Sequence, residues 1–337
     1  GFGGESIKNK IMTKVIGLGN ALVDIMTQLE SDKTLQDLNF PKGSMQLVDD
    51  LTSKNIENLT SSLKKSMSAG GSAANTINGL ANLGIDSSFI GKVGQDEMGK
   101  FFGDDQKDSG IDPQLLIGDA ASGRAIGLIS PDSERTFATF LGAAIELTAN
   151  DLSKDLFSGF QILHIEGYLV QNQDLIRVAV KLAKECGLQV SIDLASFNVV
   201  EDNREFLQEI ITNYVDIVFA NEEEAKAFTN KTPEESVHII AEICDIAIVK
   251  LGKQGSLIKK GNELYEVGII EANSVDTTGA GDLYASGFLY GLIKELTLNK
   301  CGEIGALLSG NVIEVVGSKM NEERWSKIKE EVKRIVS

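Results

Sequence analysis

Cysteine is scarce in this 337-residue chain: there are three, Cys186, Cys244 and Cys301, far apart and odd in number. They form no C-x-x-C pair, so neither a disulfide framework nor a zinc site is indicated, and the cytosol is the natural compartment. Histidine is scarcer still. His164 and His238 lack the spacing of a Ser/Asp triad or a metal site, which leaves them packed or surface roles. Positive charge is also short, because 32 Lys and Arg stand against 49 Asp and Glu and give a net charge of −17. That balance excludes a broad electrostatic grip on nucleic acid or anionic lipid. A nucleotide would have to be held by local devices: a few cations, backbone N–H groups and a metal ion. No apolar run approaches the length of a membrane span. Residues 1–11 lack the apolar core of a secretion signal and are expected to be an unstructured arm or an expression remnant. No G-x-x-x-x-G-K-[ST] occurs, so phosphate binding of the P-loop kind is excluded.

What is present is an ordinary globular composition, 42% hydrophobic and 24% charged, enough for one large α/β domain or two small ones. Its most informative stretch is Asp276-Thr-Thr-Gly-Ala-Gly-Asp282. Leu283, Tyr284, Gly287, Phe288, Gly291 and Leu292 follow at helical spacing, which makes the stretch a Gly-rich turn opening a buried helix. A helix start carries unpaired N–H groups and the positive end of a dipole, a setting that suits phosphate. Asp282 would then lie beside the phosphate, placed to take a proton from an attacking hydroxyl. A plain helix cap is the bland alternative.

Upstream, Val15 to Asn20 reads as a strand ending in G-L-G-N. The third glycine of a dinucleotide fingerprint is missing, so an oxidoreductase reading is weak. Asp24 interrupts the apolar run that follows. If buried it needs donors, and the vicinal diol of a sugar would supply two; otherwise it faces water on an edge strand. Residues 31–66 read as polar and irregular, with an apolar island at 45–48. Gly70-Gly71 then opens a second helix that ends at Gly84, and Asn75, one turn in, is within reach of a ligand at its start. Two β-like runs, 125–129 and 136–141, form a hairpin without a following long helix. With the strands near Asp24 and Val48 they suggest a small sheet, from segments near 21–50 and 111–141, that serves as a lid. From 162 onward strands and helices alternate, as in a parallel sheet covered on both faces. Ligand crevices in such sheets lie past the strand C-termini, where Asp193, Asn221, Glu224, Lys250, Gly252 and Gly255 fall.

On these motifs the chain from Val15 onward resembles the ribokinase-like (PfkB) carbohydrate and nucleoside kinase family. Asp276 to Asp282 with Ala285-Ser-Gly287-Phe288 resembles its C-terminal signature, Gly70-Gly71-Ser-Ala-Ala-Asn75 its N-terminal one, and Asn221-Glu-Glu-Glu224 its N-x-x-E element. The resemblance implies a three-layer α/β/α fold of class α/β, with a mostly parallel sheet and a β lid, over residues 12–337. It implies an ATP-dependent kinase acting on a primary hydroxyl. Asp282 would be the base, the amides of Gly279, Ala280 and Gly281 the anion hole, and Asn221 and Glu224 the groups acting on Mg²⁺ and its waters. Gly252, Gly255 and Thr277 would line the nucleotide site with Lys250, where many relatives have Thr. A monovalent cation is a further candidate cofactor.

Within the family, Gly19-Asn20-Ala-Leu-Val-Asp24 resembles adenosine kinase and its bacterial relatives more than sugar kinases. There the Asn and Asp help hold the nucleoside and its ribose diol. Gly70, Gly71 and Asn75 would face the acceptor, and Gln46 and Val48 fall where that group places lid contacts. Phe197, with Tyr168, could stack on a purine or simply pack in the core. Arg135 stays open between a phosphate partner and a surface ion pair. The expected activity is phosphorylation of an adenosine-like nucleoside with MgATP. A sugar kinase of the same family is one alternative, and a non-catalytic small-molecule-binding protein another. Partners are small molecules, without nucleic acid or membrane, in a monomer or homodimer.

Overall fold

A computed structural model of the chain describes residues 13–337; the expectation for residues 1–11 lies outside the described residues. The main sheet runs, edge to edge, Glu263–Val267, Ser256–Lys260, Ile246–Lys250, Ile217–Asn221, Gln189–Asp193, Ile162–Glu166, Lys14–Leu18, Asp86–Gly94 and Ile111–Gly118. From Ile246–Lys250 to Ile111–Gly118 every pairing is parallel. The first two strands form an antiparallel hairpin at the edge. Sequence reading passes over that hairpin, although its turn is the Gly261-Asn262 pair that favours one. Central strands such as Ile246–Lys250 (IAIVK) bury their first four residues, because helices cover both faces. All parallel strands end on one side. In register, Asp193 stands beside Glu166 and Asn221 beside Lys250.

The second sheet has the order Met45–Leu47, Arg135–Phe140, Gly123–Ile129, Leu22–Gln28 and Lys65–Gly70. Its composition differs from expectation in two ways. Ile111–Gly118 is no part of it but the edge strand of the main sheet, paired with Asp86–Gly94. Lys65–Gly70 joins it by antiparallel pairing with Leu22–Gln28; its alternation of Ser and Lys with Met and Ala hid the strand. The segment 31–66 is also more regular than it reads, with helices Lys33–Leu38 and Asp50–Leu59, the second capped by the Asp49 side chain. Two helices, Phe197–Asp202 and Arg204–Tyr214, parted at Asn203, follow the strand Gln189–Asp193.

Helix Ala280–Ile293 is the buried centre of the fold, covered nearly all round rather than on one face. Its glycines 281, 287 and 291 each cost about 1 kcal/mol of helix propensity. Burial of Leu283, Phe288 and Leu289 returns about 1.5–3 kcal/mol apiece, so packing, not propensity, fixes this helix. It packs against Ser72–Asn82 and Leu298–Val312. The first contact is stitched by hydrogen bonds: Thr76 Oγ1 donates to the Asp282 carbonyl at 2.9 Å and Ser286 Oγ to the Thr76 carbonyl at 2.7 Å. Two Gly-rich helix starts, about 200 residues apart in sequence, are thereby held side by side. Among the described residues no helix is long and apolar enough to cross a membrane.

Candidate active site

A cleft of about 1470 Å³ opens where the parallel strands end and the two helix starts meet. Gly279 precedes the central helix with φ +79°, and a Cβ there would lie 2.8 Å from Ser318 Cβ. Only glycine makes this turn without strain. Gly71, at φ +99°, is held the same way, since a Cβ would come within 2.3 Å of the Asn20 carbonyl. Both turns line the cleft. One expectation changes here: the Ala280 N–H donates to the Thr277 carbonyl at 3.2 Å. The tight turn uses that amide itself and leaves Gly279 and Gly281, among the described residues, without a protein acceptor for theirs.

Asp282 stands half-buried in the first turn of the helix. Ser72 Oγ donates to its Oδ1 at 2.7 Å and Asn75 Nδ2 to its Oδ2 at 3.1 Å. Asn75 is held in turn, because Ser318 Oγ donates to its Oδ1 at 3.0 Å. Burial, then repulsion from Asp193, pushes the Asp282 carboxyl up to about 6, against the hydrogen bonds of Ser72 and Asn75 and the charge of Lys250. The group is thus anionic at neutral pH and close to the range of an effective base.

Asp24 projects from Leu22–Gln28 on the lid side of the same cleft. Burial pushes it up to about 7, against the pull of Lys319. No donor reaches its carboxylate among the described residues. Gly70 lies against it, where a Cβ would meet the carboxylate at 2.2 Å. Tyr168 is 41% exposed on the cleft wall. On the far side, Asn221 and Glu224 cap helix Glu222–Thr229 reciprocally. The Glu224 N–H donates to Asn221 Oδ1 at 2.8 Å, and the Asn221 N–H to Glu224 Oε1 at 3.1 Å. Glu224 is 5% exposed, and burial with the nearby Asp193 charge raises its pKa. Its second oxygen stays free of protein donors among the described residues. Hard carboxylate oxygen is the donor that Mg²⁺ prefers, and Mg²⁺ is normally held by one or two carboxylates with phosphates and waters. No group of three His, Cys, Asp or Glu side chains converges among the described residues, so such an ion would depend on phosphate ligands.

The cleft therefore gathers Asp24, Gly71, Asn75 and Tyr168 with Asn221, Glu224, Lys250, Gly252, Gly255, Thr277 and the 279–282 turn. Others stand back from its wall. Gln46 donates to Ser44 Oγ at 3.0 Å on the edge strand of the lid, and the Val48 N–H pairs with the Thr139 carbonyl. Phe197 opens a short helix, 41% exposed, and is absent from the cleft lining. Asn20 is likewise absent from the lining, its N–H donating to Glu166 Oε1 at 3.0 Å. Arg135 is no surface pair: its Nε stands 3.3 Å from Asp276 Oδ2, with the side chains 10% and 4% exposed.

Three participants escaped sequence reading. Ser72 follows the Gly-Gly pair, and Lys319 acts on Asp24 through space. Glu166 ends a parallel strand, so the strand-end rule that picked Asp193 applies to it equally. It is 1% exposed, accepts N–H groups of Asn20 and Ala73, and is pushed up to about 8, chiefly by burial. Carboxyls raised by folding hold protons that the unfolded chain releases, so they favour the folded state at low pH and lose that contribution as pH rises. His164, pushed down to about 4 by burial, acts in the opposite sense, but only below about 6.5. Between pH 6.5 and 8 the carboxyls act without it. Urea unfolding of the ligand-free protein is expected to show a midpoint that falls across this window, with a smaller slope in Glu166→Gln. A flat or rising midpoint in the unsubstituted protein would contradict the assignment.

The sequence profile of the pfkB family carbohydrate kinases matches residues 47–324. The chain is similar to an uncharacterized sugar kinase of Archaeoglobus fulgidus, 28% identical over 248 residues, covering 72% of this chain and 96% of that protein. Its fold is similar to that of a probable sugar kinase from Rhizobium etli, with TM-score 0.84, 33% identity, and 95% of this chain and 99% of that one covered. It is also similar to the adenosine kinase from Sinorhizobium meliloti, with TM-score 0.82, 33% identity and the same coverages, 95% and 99%.

Proposed function

The chain belongs to the pfkB family of carbohydrate kinases, and from that premise we propose that it phosphorylates the primary hydroxyl of an adenosine-like nucleoside with MgATP. The observation that carries the reading is Asp24, a carboxylate that no donor reaches among the described residues and that shares a cleft with Asp282. A vicinal diol bonded to Asp24 would anchor the acceptor, and Tyr168 offers an apolar face for a base. Likeness to the Sinorhizobium meliloti adenosine kinase supports the same reading.

In this mechanism Asp282 accepts the proton of the acceptor hydroxyl as its oxygen bonds to the terminal phosphorus. Ser72 and Asn75 hold the carboxylate in place for that step. The N–H groups of Gly279 and Gly281, without a protein acceptor among the described residues, would stabilise the charge that develops on the phosphoryl oxygens. Asn221, Gly252, Gly255 and Thr277 form the nucleotide side, and the Glu224 oxygen without a donor among the described residues would hold Mg²⁺ or its waters. When bound, Mg²⁺ would neutralise phosphate charge. The lid sheet, carrying Asp24, would shield the acceptor from water.

The similar protein from Archaeoglobus fulgidus is named an uncharacterized sugar kinase, which favours a second reading with a free sugar as acceptor. An acceptor panel, scored by ADP release, separates the two. Adenosine or another nucleoside is expected to exceed ribose and fructose by at least about 100-fold in kcat/KM, since a diol alone lacks the base's contribution. Turnover on the sugars with none on any nucleoside sinks the nucleoside reading.

A further inference from the structure

We infer that Lys250 is a catalytic residue whose ammonium meets the terminal phosphoryl group of the nucleotide at the Gly279–Gly281 turn. The inference rests on the kinase reading above and gives one side chain a role there. Lys250 closes the strand Ile246–Lys250, beside Asn221 in register. Its side chain is 15% exposed, and Nζ stands 3.6 Å from Asp193 Oδ2. That separation is longer than the charge-assisted hydrogen bond of a committed ion pair. Asp193 is engaged elsewhere as well, its Oδ1 accepting the Ala195 N–H at 3.1 Å. On its other side the ammonium rests against Gly281, so closely that a Cβ there would lie 2.8 Å from Nζ. A largely buried cation thus sits on the very turn, lining the cleft, whose Gly279 and Gly281 amides have no protein acceptor among the described residues.

The charge balance of the cleft floor gives that cation a task. Asp193, Glu224 and Asp282 all act on Lys250, and although burial pulls its pKa down, their combined charge holds it above the ordinary value. It is therefore an ammonium at every working pH. A polyphosphate entering beside three carboxylates is repelled unless cations meet it, and lysine is a point-charge phosphate ligand. In the transfer, the acceptor oxygen bonds to phosphorus, the bond from phosphorus to the bridging oxygen of ADP breaks, and the acceptor's proton passes to Asp282. The electron pair of the broken bond stays on ADP. A fixed positive charge at the turn stabilises that redistribution without reorganising at the moment of reaction. Gly281 matters for a second reason, since any side chain there would displace the ammonium.

The test uses the full chain, and its binding arm needs no acceptor. Isothermal titration with the β,γ-imido analogue of ATP and with ADP, each with Mg²⁺, reads the contact to the terminal phosphoryl directly. Lys250→Met is expected to weaken the triphosphate analogue by about 10- to 100-fold and ADP by less than about threefold. Turnover on adenosine is expected to fall about 100-fold in kcat. Lys250→Arg, which keeps the charge, is expected to regain part of the preference for triphosphate. Lys250→Met combined with Asp193→Asn removes one charge of each sign and guards against misfolding; it is expected to stay impaired. Unchanged triphosphate affinity in Lys250→Met, equal loss for both nucleotides, or full recovery in the double variant overturns the assignment and leaves the lysine as a neutraliser of Asp193. Absence of adenosine turnover in the unsubstituted protein, with the titration as expected, removes the acceptor assignment alone. An unsubstituted protein that binds neither nucleotide removes both.

Discussion

Asp282→Asn is expected to lower kcat by about 10²–10⁴-fold, the range lost with a positioned general base, and to leave MgATP affinity nearly unchanged. The variant keeps the shape of the side chain and its place in the first turn of the central helix. It removes the one thing the mechanism needs there, an anionic oxygen able to bind a proton. Ser72 and Asn75 both donate to this carboxylate, and an amide accepts only one of them. Some rearrangement around Asn75 is thus part of the loss. The same assignment fixes the pH profile of the unsubstituted protein. With Asp282 raised to about 6 by burial and by Asp193, kcat/KM is expected to fall as pH drops through about 6, because protonation removes the base. ADP release with the preferred acceptor measures both quantities. Full activity in Asp282→Asn would mean that the proton goes elsewhere.

Much of this site is legible in the sequence because its key groups lie at punctuation. Gly71 and Gly279 mark turns with positive φ, and Asn221 with Glu224 forms a capping box, a local pattern with a fixed spacing. The alternation after residue 162 gives the parallel sheet, and strand ends give the crevice. What stays hidden depends on distance. Nothing local shows that Arg135 reaches Asp276 across 141 positions, or that Lys319 lies behind Asp24. Lys65–Gly70 evades detection because its strand is made by pairing with Leu22–Gln28, not by β-branched residues of its own. The Ala280 amide is lost from the expected anion hole through a single turn hydrogen bond. A G-A-G tripeptide does not disclose which of its N–H groups the turn itself employs.

Asp24→Ala is expected to reduce kcat/KM for a nucleoside acceptor by about 10²–10⁴-fold, mainly through KM. Hydrogen bonds to a charged group contribute about 1.5–3 kcal/mol each, and a diol makes two. The carboxylate has no protein donor to fall back on among the described residues, and Gly70 lies against it without a side chain. Its pKa, pushed up to about 7 by burial and by Asp282 against the pull of Lys319, adds a second signature. Acceptor KM is expected to rise as pH falls through about 7, where the carboxyl takes up a proton, and this dependence should vanish in Asp24→Asn. Steady-state kinetics on adenosine and on its 2′-deoxy and 3′-deoxy analogues make the contact itself observable. In the unsubstituted protein each missing hydroxyl is expected to cost affinity, whereas in Asp24→Ala the same deletion should cost little more. General distortion of the lid would weaken all acceptors in parallel. Only a hydroxyl bonded to Asp24 makes the two losses non-additive, so additive losses would move the diol, and the nucleoside with it, away from this carboxylate.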